Sequence, residues 1–196
     1  MKALHDFLIT PKGDRYNNIK KIGDKELIVN TDISSFRHIN REAIVESVPV
    51  INKTNIEVGD EVIVHHNIFR RWYNVHCEEK NSRGYFDEKH YLAQLDQVYL
   101  YKKNHEWKAL DGWCFVKPLK SGDLWSKNPE KEFVGIIKYS DGSFKKDDLV
   151  GFIPKVNHEF VINGQLLYKI MTQFITIKYE YQGDEEEYNQ SWAKSG

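Results

Sequence analysis

Cysteine is scarce in this chain of 196 residues. Cys77 and Cys114 lie far apart and fit no metal-ligand spacing. That excludes a disulfide framework and a zinc finger, and points to reduced thiols in a reducing compartment. Long hydrophobic runs are missing as well. No apolar stretch approaches the roughly 20 residues that cross a bilayer as a helix. The opening MKALHDFLIT is too short and too polar for a secretory signal. No membrane partner and a cytoplasmic location are therefore expected. An excess of one charge is also lacking: 28 Lys and Arg stand against 29 Asp and Glu, a net charge of −1. A chain without an overall field does not hold a polyanion, which argues against a dedicated nucleic-acid binder. There is no Gly-rich phosphate loop, no Gly-x-Ser-x-Gly elbow and no His-Glu-x-x-His. Asp and His are plentiful but form no catalytic constellation, so neither an enzyme nor a bound cofactor is expected. Helical periodicity is nearly absent too; only residues 87–95 have room for a turn or two, and they fit a strand equally well.

What the chain has is strands. Hydrophobic residues make up 40% and aromatics 13%, enough for a core and weighted towards β-formers. Strand-sized stretches cover residues 4–10, 42–48, 61–64, 98–101, 112–117, 133–139, 149–153, 159–162, 166–170 and 174–181. Turn signals separate them, among them Val58-Gly59-Asp60, Ser140-Asp141-Gly142 and Asn163-Gly164. Asn163-Gly164 between apolar pairs predicts a tight hairpin, because both residues accept positive φ. Many short strands at regular spacing predict an all-β barrel or sandwich.

The chain also repeats itself. Phe7-Leu8-Ile9-Thr10-Pro11 is echoed by Cys114-Phe115-Val116-Lys117-Pro118, and Glu42-Ala43-Ile44-Val45 by Phe133-Val134-Gly135-Ile136-Ile137. Val58-Gly59-Asp60-Glu61-Val62-Ile63-Val64 is echoed by Lys146-Asp147-Asp148-Leu149-Val150-Gly151-Phe152. Leu95-Asp96-Gln97-Val98-Tyr99-Leu100 is echoed by Met171-Thr172-Gln173-Phe174-Ile175-Thr176. The echoes keep one order, which predicts two tandem modules. Their boundary falls in the polar stretch 102–107, giving modules over 1–104 and 105–182. The acidic stretch 183–196 is expected to be a solvated, disordered tail.

These landmarks resemble the GroES-type co-chaperonin family. Leu4-His5-Asp6-Phe7-Leu8-Ile9 is similar to its opening strand, Ala43-Ile44-Val45 to its second, and Val58-Gly59-Asp60-Glu61-Val62-Ile63 to its turn into the third. Gln97-Val98-Tyr99-Leu100 fits the closing strand. The resemblance covers residues 3–102 well and 109–179 loosely. It implies two GroES-like, partly open β-barrels with long loops, in a ring-like homo-oligomer that binds a chaperonin and assists folding. The runs 64–73 and 79–83 resemble the phage-encoded members, which places the chain in host cytoplasm if it is one of them. The chain departs from the family in three ways. The first module carries an insertion after Val64, the second has lost the Val-Gly of the turn, and neither has the Gly-Gly before the apolar contact triad.

Two segments are candidates for function. Residues 12–40 form a connection far longer than the usual ~4–6 residues. In the family this loop orders on docking and places a branched apolar triad in a chaperonin groove, and Leu27-Ile28-Val29 stands in the matching place. Alternatively residues 19–29 form a hairpin through Gly23-Asp24 that simply covers a barrel end. Arg70-Arg71-Trp72-Tyr73, with Lys80 and Arg83, is the second candidate. Interleaved cations and rings stack on single-stranded bases, but in a neutral protein they more commonly pack at an interface. His65, His66, His76 and Cys77 do not make a zinc site, since neighbours on a strand point to opposite faces. Beside the co-chaperonin reading stands a phage virion or assembly protein that keeps the barrel without the chaperone role.

Overall fold

The computed structural model describes residues 2–17, 19–28, 38–122, 128–180 and 183–195. The chain is all-β, and among the described residues its helical pieces are short 3-10 turns at His66–Ile68, Leu95–Gln97, Thr172–Phe174 and Ser191–Ser195. No helix among them is long and apolar enough to cross a membrane. The chain divides into two compact units, Met1–Glu106 and Trp107–Gly196, and the division falls inside the polar stretch 102–107.

The first unit contains β1 (Phe7–Pro11), β2 (Ile19–Ile22), β3 (Lys25–Ile28), β4 (Glu42–Ser47), β5 (Glu61–Val64), β6 (Arg71–Tyr73), β7 (Glu79–Asn81), β8 (Tyr91–Ala93) and β9 (Val98–Lys103). A tight turn leads from β9 into β10 (Glu106–Ala109), with Asn104 at φ 51° and His105 at φ 65°. The second unit contains β11 (Trp113–Lys120), β12 (Glu130–Ser140), β13 (Leu149–Phe152), β14 (His158–Ile162), β15 (Gln165–Met171) and β16 (Ile175–Tyr179). Asn163-Gly164 closes the β14–β15 hairpin with φ of 51° and 71°, as its composition predicts.

Two open six-stranded sheets result, in the orders β10-β9-β5-β4-β1-β8 and β14-β15-β11-β12-β13-β16. They share one frame. β9-β5-β4-β1-β8 and β16-β13-β12-β11-β15 are the same order of equivalent strands, all antiparallel. The match holds residue by residue. Ile9 pairs with Val45 as Val116 pairs with Ile137, and Ala43 pairs with Val62 as Gly135 pairs with Val150. Both sheets bulge at the same places, between Leu8 and Ile9 or Phe115 and Val116, and between Ile63 and Val64 or Gly151 and Phe152. Each of the echoes seen in the sequence falls on equivalent elements, including the 3-10 turn before the last strand.

The turn into β5 shows why the second copy keeps its shape without the Val-Gly. In the first copy Asp60 accepts from the Glu57 backbone N–H, and Gly59 at φ 92° donates to Val45 O. In the second copy Asp148 accepts from the Lys145 N–H, and Asp147 at φ 68° donates to Ile137 O. Aspartate tolerates the left-handed region better than most side chains, so it replaces the glycine at moderate cost.

The cores match as well. Cys114, Val116, Ile137, Val150, Phe152, Tyr168 and Ile170 form the core cluster of the second unit. Their equivalents Phe7, Ile9, Val45, Val62, Val64, Tyr91 and Ala93 are all buried in the first. Phe7 lies opposite Ala93 across the β1–β8 pair, and Cys114 lies opposite Ile170 across β11–β15. A large-small pair has become a small-large pair, which conserves volume where packing is dense. Burial pushes the pKa of the Cys114 thiol up, which leaves it an inert packing group.

Candidate docking surface

The described residues 12–17, 19–28 and 38–41 of the connection between β1 and β4 belong to an arm whose root is closed by backbone pairing. Asn17 N donates to His38 O at 2.7 Å, Asn40 N donates to Arg15 O at 3.1 Å, and Tyr16 bridges Ile39. Asn40 is buried and its side chain locks the root. It donates to Lys12 O and Asp14 O, both at 2.9 Å, and accepts from Glu42 N at 2.9 Å. A buried amide is stable only when its capacity is used in this way.

Beyond the root, β2 and β3 make a two-stranded sheet of their own. Ile19 pairs with Ile28, and Gly23 supplies the positive φ of 60° in the turn. The hairpin alternative of the sequence is thus the structure adopted, but it does not bury its apolar residues. Ile19, Ile22, Leu27 and Ile28 are 50, 60, 55 and 61% exposed. A two-stranded ribbon has no second layer to bury them against. Val29 lies outside the described residues.

The second candidate segment is divided by the structure. Arg71, Trp72 and Tyr73 form β6, which pairs with β7 in a hairpin inserted between β5 and β8, while Arg70 precedes it. Trp72 and Tyr73 are exposed. Arg71 instead turns to the arm. Its guanidinium lies 4.9 Å from the centre of the Tyr16 ring, it pairs with Glu79 at 3.2 Å, and its backbone N–H donates to the Tyr16 hydroxyl at 2.8 Å. Arg15 fastens the other side. It donates to Phe69 O at 2.6 Å and to Arg70 O at 3.1 Å, with its guanidinium 5.2 Å from the Tyr91 ring and 5.9 Å from Tyr85. Burial lowers the Arg15 pKa, and the two carbonyls and two ring faces compensate the loss of water around its charge. The basic-aromatic run therefore makes an internal contact through Arg71, while Trp72, Tyr73, Lys80 and Arg83 stay exposed.

Histidines 65 and 66 stack on each other at 4.4 Å, and His65 Nδ1 accepts from Asn67 N. Cys77 is exposed in a turn. Among the described residues no three His, Cys, Asp or Glu side chains gather as metal ligands.

Arg15, Tyr16 and Asn40 were not singled out from the sequence. An adjacent Arg-Tyr pair in a polar connection was the available signal, and its partners lie 54 and 55 residues away along the chain.

In the second copy the equivalent root is held differently. The C-terminal segment lies along the end of β11: Lys120 N donates to Glu186 O, Tyr188 N donates to Pro118 O, and Leu119 bridges Glu187. Glu187 pairs with Lys117 at 2.5 Å, Asn189 bonds Leu166 N and Gly164 O, and Ala193 is fully buried. The stretch read as a disordered tail is, over residues 183–195, a packed part of the second unit. The reason is on the outer face of its sheet. Lys12, Glu42, Glu61 and Lys102 form an ion-pair network in the first copy. Their equivalents are Leu119, Val134, Leu149 and Tyr179, the first three in one apolar cluster. An apolar outer face needs cover, and the tail supplies it.

No model of a known protein family matches the chain, and a search of curated proteins finds no match either.

Proposed function

We propose that the chain is a non-catalytic, co-chaperonin-like protein built of two GroES-like, partly open barrel modules, and that the arm of the first module docks on a chaperonin. One observation carries this reading: Leu27 and Ile28 stand more than half exposed on a hairpin outside the main sheet, in the connection where the resemblance places a docking triad. Burying a Leu or Ile side chain in a partner's groove contributes about 1.5–3 kcal/mol each. Ile19, beside Ile28 across the hairpin, shares its face, while Leu27 stands on the other face of the ribbon. The short described hairpin limits the ordering cost of docking and keeps the complex reversible. A ring-like homo-oligomer belongs to the same reading.

Ile28→Asp tests it. The variant places a charge in the apolar contact without touching the core, so binding to a purified chaperonin with nucleotide, followed by native mass measurement, should be abolished while the fold persists. A wild-type protein that ignores chaperonin at high concentration overturns the reading. A second reading, a phage virion or assembly protein on the same frame, is favoured by the fastened root of the second copy, which leaves that module without an equivalent exposed hairpin among the described residues. Recovery of the protein in assembled particles, and not with chaperonin, would select it.

A further inference from the structure

We infer that the inserted segment after β5 is a clamp that sets the direction of the arm, with Arg71 and Tyr16 as its positioning residues. The inference rests on the docking reading for its purpose, but its geometry stands by itself. Two sets of contacts bear on the described root of the arm. One is the Asn40 lock, which joins the two sides of the root to each other and to β4. It fixes the root as a pair of strands but leaves the direction of the ribbon open. The other attachment is lateral. Arg15 reaches carbonyls of Phe69 and Arg70 on one side, and Tyr16 takes both the N–H and the guanidinium of Arg71 on the other. Neighbouring arm residues are thus held by neighbouring residues of the insert. The insert is itself anchored: Ser82 Oγ donates to Ile68 O at 2.5 Å, and Phe69 packs edge-on against Tyr91 of β8 at 4.8 Å. The second copy has no such insert, because β13 leads to the β14–β15 hairpin instead, and it has no comparable hairpin among the described residues.

A held ribbon presents Leu27 and Ile28 in one orientation. A released ribbon spends only part of its time in the competent one, and the apparent dissociation constant rises by the inverse of that fraction. Arg71 and Tyr16 thus act on docking without being part of the apolar contact.

The test compares wild type with Arg71→Ala and Tyr16→Phe by hydrogen exchange of the free protein, followed by chaperonin binding. In Arg71→Ala the amides of residues 17 and 19–28 should exchange about tenfold faster while those of β4 and β5 keep their protection, and docking should weaken by a similar factor. Tyr16→Phe keeps the ring under the guanidinium and loses only the hydroxyl, so a smaller effect in the same direction is expected, and Arg71→Lys should recover part of the loss through its retained charge. Unchanged arm exchange in both variants overturns the clamp. If Arg71→Ala lowers protection everywhere, Tyr16→Phe decides. Faster arm exchange in a protein that does not bind chaperonin at all upholds the clamp and refutes the docking reading instead.

Discussion

The two copies bury equivalent side chains on the inner face of the sheet and treat its outer face in opposite ways. In the first, Lys12 reaches Glu61 at 2.8 Å and Glu42 at 3.3 Å, a face that water can cover. In the second, the same positions are apolar, and the C-terminal segment pairs alongside Leu119. The inner face is closed within each copy, so its substitutions tend to come in compensating pairs, as Phe7 with Ala93 becomes Cys114 with Ile170. The outer face has no such constraint and is free to become either a solvated surface or a bed for another segment. The roots of the two equivalent connections follow the same division. An insert holds one and leaves a hairpin exposed, whereas the tail fastens the other.

The largest effect that would break this comparison comes from deleting residues 183–196. The deletion uncovers Leu119, only 1% exposed, and removes the nearer of the two carboxylate partners of Lys117. It should cost about 2–4 kcal/mol, read as a lower denaturation midpoint of the second unit. No loss of stability would mean that the tail is not a structural cover.

A smaller effect separates the two turns. Hydrogen bonding from Lys178 is the main cause that holds the Asp148 carboxyl below its ordinary pKa of 3.8. The unfolded chain therefore binds the proton more readily. The stabilisation is present above the ordinary value and fades as pH falls through the lower, folded one. Asp148→Asn should cost about 1 kcal/mol at neutral pH, and the difference from wild type should vanish in acid. Asp60→Asn should lose less, because its lysine stands at 3.6 Å rather than 2.8 Å. Urea titrations at several pH values measure both.

The smallest effect sharpens the equivalence itself. Gly59 has open space around a built Cβ, and the second copy holds an aspartate in that conformation. Gly59→Asp should cost less than about 1 kcal/mol, whereas Gly59→Val should cost about 1–2 kcal/mol, since a branched side chain resists positive φ. Equal losses in thermal melts would show that the two turns differ more than their hydrogen bonds suggest.

Much of the frame was legible in the chain. The alternation of Phe7 with Ile9 and of Val62 with Val64, and the echo of each in the second half, depend on the period of a strand and are local. So is the Asn163-Gly164 turn. The hairpin over 19–28 was one of two open alternatives, because its turn residues spoke for it while its apolar residues suggested cover. Exposure is a property of what lies nearby, and the sequence of the hairpin carries no record of that.

What the sequence determined by itself, then, is the all-β class, most strands of the two main sheets and their repetition, for these rest on backbone preference and side-chain period. The tertiary structure alone decided that Arg71 meets Tyr16, and that the described part of the acidic tail is fastened to the second unit. In both cases the partners lie more than 50 residues apart along the chain. Such contacts are selected by the packing of the whole sheet and by the need to cover the apolar face it presents, neither of which is encoded in any single stretch of chain.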